Sequence, residues 1–219
     1  MNTMRFSINK FAYRVSARSR ARKHNFFLET VRPSPQDSIL DVGANAVEYS
    51  EGDNYLEKHY PHPGRITVIS LDDVENLRIR YPRITFIKGD GTRLPFADKQ
   101  FDITYSNAVI EHVGDYALQL QFLKELARVS GRGYITTPNR YFPIEVHTRV
   151  PLLHLLLPKP LFDSFLHRIG KGWAAGDYMR LLSLADLKRL LSDAGIDRYK
   201  ITRHRLFGLT MTYTITWNV

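Results

Sequence analysis

"ILDVGANAVEYSEG", residues 39–52, is the stretch whose reading decides the fold. Ile39 and Leu40 open a short apolar run that Gly43 closes, the pattern of a buried strand ending in a tight turn. A nucleotide-binding turn begins in the same way. It then carries further glycines, and here Asn45 and Val47 occupy those positions. Asn is the non-Gly residue that best tolerates a left-handed backbone, so Asn45 is expected to make the turn that a second Gly would make. Val47 is expected to hold the loop farther from a ligand.

The pattern continues outward from this strand. Residues 17–31 read as a helix ended by "RPSPQD". "NYLEKHY" (54–60) reads as a turn or two of helix. "RITVISLDD" (65–73) is a second strand ending in two acids, "VENLRIRYP" (74–82) a short helix, and "ITFIKGDG" (84–91) a third strand. "FDITYSN" (101–107) is a fourth strand. Residues 116–130 carry Leu120, Leu123, Leu126 and Ala127 at helical spacing, with Gly131 and Gly133 as the expected stop. "GYITTPN" (133–139) is a fifth strand. Buried strands alternating with helices predict an α/β fold, a parallel sheet with helices on both faces. Residues 183–195 are a helix with Ser183 as N-cap and Gly195 as its stop. "YKITRHRLFG" and "MTYTITWNV" are spaced as an antiparallel pair. The expected organisation is a basic helical arm at 1–31 and one domain at 32–219. Within that domain, residues 140–182, rich in Pro, His and aromatics, form a lobe over the acceptor side.

The 219 residues are 43% hydrophobic and 24% charged, enough for a sizeable core. No cysteine is present, which excludes disulfides, thiolate zinc sites and a Cys nucleophile. The net charge of +9 is local: Arg5, Lys10, Arg14, Arg18, Arg20, Arg22 and Lys23 fall in the first 28 residues, which hold no acid. The rest of the chain has 24 basic against 22 acidic residues. That is not a whole-domain nucleic-acid footprint, and a nucleic-acid partner is not expected. Phe6, Ile8, Phe11, Tyr13 and Val15 interleave the arm's charges. The arm therefore reads either as a helix lying over the fold or as a contact with an anionic membrane surface. No run approaches the roughly 18–20 apolar residues of a membrane span, and "VPLLHLLLP" (150–158) is short and bracketed by prolines. The N-terminus lacks the apolar core of a signal peptide. The expectation is a cytoplasmic protein, with the arm a candidate for peripheral contact with the inner membrane face.

In an open parallel sheet, ligands bind beyond the carboxyl ends of the strands. The residues there read Asp41-Val42-Gly43, Asp72-Asp73, Gly89-Asp90-Gly91, Ser106-Asn107 and Pro138-Asn139. An acid after the second strand can accept from both hydroxyls of a ribose, and one after the third from an adenine amine. Each acid alone reads equally as a cap or turn residue; their order along one chain is the informative feature.

"ILDVG", "LDD", "GDGTRLPFADKQFDITYSNAVIEHV" and "ELARVSGRGYITTPNR" resemble the class I S-adenosylmethionine-dependent methyltransferases, of the group called methyltransferase type 11. Residues 89–113 carry the strongest match, and the resemblance covers about residues 38–140. It implies a Rossmann-like three-layer sandwich with a seven-stranded, mostly parallel sheet and an antiparallel last strand. It implies S-adenosylmethionine as cofactor. Asp41, Gly43 and Asn45 then belong to the cofactor loop. Asp72, with Asp73 beside it, matches the ribose acid, and Asp90 with Gly91 the adenine side. Asn107 and Ala108 run beside the methionine part. The first loop departs from the pattern: D-V-G-A-N-A-V replaces D-x-G-x-G-x-G. In addition, 31 positions separate Asp41 from Asp72, where such folds show about 20.

Methyl transfer needs alignment and, where the nucleophile must lose a proton, a base. His112 in "VIEHV" and Glu145 and His147 in "PIEVHTR" are the catalytic candidates. His112 also reads as a packed residue at a helix N-terminus. His154 reads as a satisfied core histidine. Arg140, Arg149 and Lys159 suit either an anionic acceptor or solvent. No His/Asp/Glu spacing suggests a metal site, and none is expected. The expected function is O- or N-methylation of a small-molecule or lipid- or saccharide-linked acceptor. The alternative is a non-catalytic Rossmann-like domain acting as a partner or regulator.

Overall fold

The computed structural model describes residues 2–145, 147–176 and 179–219, with side chains from residue 17 onward. The arm residues Arg5, Phe6, Ile8, Lys10, Phe11, Tyr13, Arg14 and Val15 thus have side chains outside the described residues. Seven strands form one sheet in the order β3-β2-β1-β4-β5-β7-β6. They are β1 (Ile39–Val42), β2 (Ile66–Ser70), β3 (Thr85–Lys88), β4 (Phe101–Asn107), β5 (Ser130–Pro138), β6 (Tyr199–Leu206) and β7 (Leu209–Trp217). Strands β1 to β5 pair in parallel, and β7 runs antiparallel to both β5 and β6. The helices are α1 (Asn2–Val31), α2 (Tyr55–His59), α3 (Glu75–Arg80), α4 (Tyr116–Val129), α5 (Leu153–Leu156), α6 (Lys159–Arg168) and α7 (Leu184–Asp193).

Alternation along each strand sorts the side chains onto two faces. From β1, Leu40 and Val42 join Phe122, Leu123 and Leu126 of α4 and Leu187, Leu190 and Leu191 of α7 in one core. Ile39 enters the other, with Phe27 of α1, Leu56 of α2 and Leu77 of α3. Parity therefore puts Asp41 on the α1–α2 face. On that face Tyr105 and Tyr134 stack at 5.3 Å, and Phe27 meets both rings edge-on at 5.2 Å. Burying Phe27 fully is worth about 2–3 kcal/mol, and it ties α1 to β4 and β5. Helix α1 stops at Val31, where Arg32 turns to φ 48° and Pro33 follows.

Two element ends differ from expectation. Helix α4 passes straight into β5 at Ser130, so Gly131 and Gly133 lie inside the strand and do not stop the helix. Gly133 is needed for packing: it faces Trp217 in register, and a Cβ there would sit 1.9 Å from the indole. Helix α1 also extends well before residue 17. By contrast, Ser183 caps α7 through a reciprocal bond with Asp186, and Gly195 takes φ 70° behind it. The described residues between 141 and 176 carry a small core of their own around Val150, Phe162, Leu166 and Ala174, and His147 and Trp173 stand beside the carboxyl ends of the strands. His154 there packs on Phe162, but both its ring nitrogens lack hydrogen-bond partners, so it is not the satisfied histidine expected. No helix among the described residues is long and apolar enough to cross a membrane.

Candidate active site

The strand order reverses between β1 and β4, and two adjoining clefts open beyond their carboxyl ends. The loop after β1 forms their shared wall. Gly43 takes φ 103°, and a Cβ on it would lie 2.3 Å from Val109 Cγ2. Its glycine is thus required by backbone and by packing together. Asn45 is not among the residues with positive φ, contrary to the expectation that it replaces a glycine. Asn54 carries that role instead. It adopts φ 47°, ψ 49°, and its side-chain amide holds Asn45 at both ends, accepting from the Asn45 N–H and donating to its carbonyl at 2.9 Å each. Ser70 Oγ donates to the Ala44 carbonyl at 2.9 Å. Side-chain hydrogen bonds replace the missing glycines in fixing the loop.

The long β1–β2 crossover is ordered by similar means. Asp53 Oδ2 accepts from the N–H groups of Tyr49 and Ser50, and its Oδ1 takes the Arg20 guanidinium at 2.8 Å. Glu48 accepts from Tyr81 Oη at 2.7 Å and pairs with Arg80 and Lys58. The insert is a folded wall, clamped by α1 on one side and α3 on the other.

The outer cleft, about 470 Å³, is lined by Asn45, Val47, Asp72 and Asp73. Val47 is exposed on its rim. The inner cleft, about 350 Å³, brings together Asp41, Gly43, Asn45, Asn107, Ala108, His112 and His147. Asp90 and Gly91 line neither cleft. Asp90 accepts from the Thr92 N–H, and a Cβ on Gly91 would meet Phe122 and Val42.

The charges of the inner cleft follow from burial. Burial raises Asp41 well above the usual carboxylate range, and the adjacent Glu57, with which it hydrogen-bonds, adds to the shift. Glu57 is raised as well, chiefly by burial. Two buried carboxyls in contact disfavour ionisation of both together. Glu57 Oε1 has no hydrogen-bond partner. Lys23 Nζ donates to Asn107 Oδ1 at 3.1 Å, and its pKa is lowered to about 8 by burial and by Arg20. Thr136 Oγ1 also donates to Asn107 Oδ1, at 2.6 Å. Ala108 sits at φ 59°, a strained conformation for a residue with a Cβ.

The three catalytic candidates form one line. Glu145 Oε1 bonds His147 Nδ1 at 2.8 Å, and His147 Nε2 lies 3.1 Å from His112 Nε2. Burial disfavours the Glu145 charge, but bonds from His147 and Thr148 hold its pKa down at about 2. Burial also opposes protonation of His147. The hydrogen bond to Glu145 and the charges of Glu111 and Glu145 outweigh that and raise its pKa. His112 ends the 3₁₀ turn Ile110–His112 rather than starting a helix. Glu111, on the same turn, is fully buried. Of the cationic candidates, Lys159 is engaged by Asp163 at 2.9 Å and by the Gly176 carbonyl.

Arg20, Lys23, Asn54, Glu57 and Glu111 were not legible as site residues. Arg20 and Lys23 read as arm charges, and Asn54 and Glu57 lie in an insert without a motif. The "EH" pair was the one signal for Glu111.

Residues 40–135 match the family described as "Methyltransferase domain". A Mycobacterium tuberculosis protein named a probable S-adenosylmethionine-dependent methyltransferase is 39% identical over 81 residues, covering 35% of this chain and 28% of that protein. The chain thus spans less than a third of the length of such curated relatives. A S-adenosylmethionine-dependent methyltransferase of Methanosarcina mazei superposes with a TM-score of 0.52 at 18% identity, over 84% of this chain and 93% of that one. The 1,6-didemethyltoxoflavin-N1-methyltransferase of Burkholderia thailandensis, solved with 1,6-didemethyltoxoflavin and S-adenosylhomocysteine bound, gives 0.57 at 15% identity, over 94% and 77%. At these identities the structural likeness speaks for the fold alone. Residues 40–135 thus match a methyltransferase domain on a sheet of this order, and the similar proteins named here are S-adenosylmethionine-dependent methyltransferases.

Proposed function

We propose that the chain methylates a hydroxyl or amine on an apolar, lipid-linked or aromatic acceptor, with S-adenosylmethionine as donor. The observation that carries this reading is the Glu145–His147–His112 line, which ends in the same cleft as Asp41, Gly43 and Asn107. The cleft's residues fit the cofactor's charges: Glu57 Oε1 is buried without a donor beside Asp41, a place for an ammonium group. Asp72 and Asp73 stand in the adjoining cleft as acceptors for ribose hydroxyls. Asp90, bonded to its own turn, is not assigned to the adenine.

When bound, the cofactor would supply an electrophilic methyl carbon, open to an acceptor lone pair that bonds to it as the carbon–sulfur bond breaks and its electrons leave on sulfur. Asp41 and Glu57 would hold the cationic end, while Lys23 and Thr136 orient Asn107 along the inner wall. The acceptor proton departs toward His112 and His147, whose geometry Glu145 fixes. Residues 140–182 are proposed as the acceptor lid. Trp173 lines the inner cleft, and Tyr141, Ile144, Leu152, Leu156 and Leu161 expose apolar surface on the same lobe. That surface favours an apolar carrier over a free sugar.

Calorimetric titration with S-adenosylmethionine and S-adenosylhomocysteine tests the donor. Asp72→Ala is expected to abolish binding; unchanged affinity would overturn the site placement. With methyl-labelled cofactor, label is expected in organic-extractable products. Label confined to water-soluble products would overturn the acceptor class.

A further inference from the structure

One group of side chains has a composition that proton transfer alone does not require. A carboxylate oxygen of Glu111, His112 Nε2 and His147 Nε2 lie within 4.8 Å of one another. The two imidazole nitrogens are 3.1 Å apart, and His147 Nε2 is 3.8 Å from Glu111 Oε1, too long for a hydrogen bond. Glu111 is 0% exposed. Thr137 Oγ1 donates to its Oε2 at 3.0 Å, but its Oε1 has no hydrogen-bond partner. A buried carboxylate oxygen without a donor calls for a cation. The nearby ammonium of Lys23 is directed to Asn107 Oδ1.

The surroundings of His147 support the same reading. The Glu145 carboxylate accepts from Nδ1 at 2.8 Å and from the backbone N–H groups of His147 and Thr148. That bond places the neutral ring's proton on Nδ1 and turns the Nε2 lone pair toward His112 and Glu111. Metal-ligating histidines are oriented by such a carboxylate. Two imidazole nitrogens bound to one ion at about 2.1 Å are about 3.4 Å apart in a tetrahedral site and about 3.0 Å apart at the right angles of an octahedral one, and the observed 3.1 Å lies between the two.

We propose that Glu111, His112 and His147 bind a divalent first-row transition metal ion of the zinc or iron(II) type, with its remaining positions open to the inner cleft. Two imidazoles and one carboxylate form the ligand set of open zinc and non-haem iron sites. Magnesium and calcium favour oxygen ligands. The ion takes the place of the proton that the two rings otherwise share, so in the metal-bound form the rings act as ligands and not as the base for the acceptor proton. Its use in activating an acceptor hydroxyl rests on the methyl-transfer reading; its binding does not. The local spacing gave no sign of it because His147 joins Glu111 and His112 across the lobe, 35 residues from His112.

The chelator-treated 219-residue chain is titrated with Co²⁺ and Zn²⁺. One equivalent is expected to bind, with visible Co²⁺ absorption bands and little competition from Mg²⁺. Glu111→Gln and His147→Ala are each expected to abolish the bands, and Glu145→Gln, a positioning change, to weaken affinity roughly 10–100-fold. Should a variant fail to fold, histidine ¹⁵N spectra of the unmodified chain with Zn²⁺ decide: Nε2 of His112 and His147 must both shift. The absence of stoichiometric binding, or Co²⁺ binding indifferent to the substitutions, overturns the proposal. S-adenosylhomocysteine titration of the same samples separates the two readings. Retained cofactor binding without metal binding removes the ion and leaves the methyltransferase reading standing; metal binding without cofactor binding does the reverse.

Discussion

At the scale of single residues, Asn54 shows how the loop keeps its shape without the expected glycines. Its side chain bonds the Asn45 N–H, the Asn45 carbonyl and Glu48 Oε1, while its own backbone is left-handed. Gly tolerates that backbone, so Asn54→Gly removes the amide alone. The expected effect is a loss of about 1–3 kcal/mol in stability and roughly tenfold weaker cofactor binding, read by thermal unfolding and calorimetry. Full affinity would mean that the loop does not depend on this clamp. The acid pair allows a second test. A cationic ligand favours the ionised form of Asp41 and Glu57, whose pKa values burial raises. Binding should therefore release protons, and affinity should rise with pH until the pair is ionised. Calorimetry in buffers of different ionisation enthalpy detects the release; equal apparent enthalpies would count against the pair as the ammonium site. Asp41 was legible because a strand-end acid has a known place in an open sheet. Glu57 was not, because its role comes from where a five-residue helix in a long insert happens to pack.

At the scale of elements, the existence of the strands was largely legible, since short buried apolar runs ending in Gly or acids leave few alternatives, whereas the seven-stranded sheet with its antiparallel end came from the resemblance. Ends were less so. Gly131 and Gly133 look like helix stops in sequence, but the constraint that retains Gly133 is Trp217, some 80 positions away on β7. The docking of α1 has a pH signature. His24 is 4% exposed, and its ring lies 5.3 Å from Tyr55 and 6.4 Å from His59 of α2. Burial, then the charge of His59, lowers its pKa to about 4. The folded value lies below the unfolded one, so between pH 4 and 6.5 the unfolded chain binds more protons and stability rises with pH. Discounted for partial solvent screening, the effect is about 1–2 kcal/mol. Urea midpoints at pH 4.5 and 7 should differ more in the unmodified chain than in His24→Phe. An equal difference would assign the slope to other groups.

At the scale of the whole molecule, the packing falls into two cores on the faces of the sheet and a third within the lobe. Polar links join the lobe to the sheet domain among the described residues: the Arg180 N–H donates to the Glu111 carbonyl, Gln119 Nε2 to the Arg180 carbonyl, and His147 faces His112. If the lobe opens while the sheet stays folded, His147 would separate from Glu111 and His112, and acceptor entry and site assembly would be one motion. Leu166→Ala tests this division. Leu166 is fully buried in the lobe core, and its truncation should cost about 2–5 kcal/mol. If the lobe is its own unit, hydrogen exchange should accelerate across residues 150–175 and around Glu145, while β1 and β4 keep their protection. Faster exchange throughout β4 would mean that lobe and sheet unfold as one body and that access to the cleft has another route.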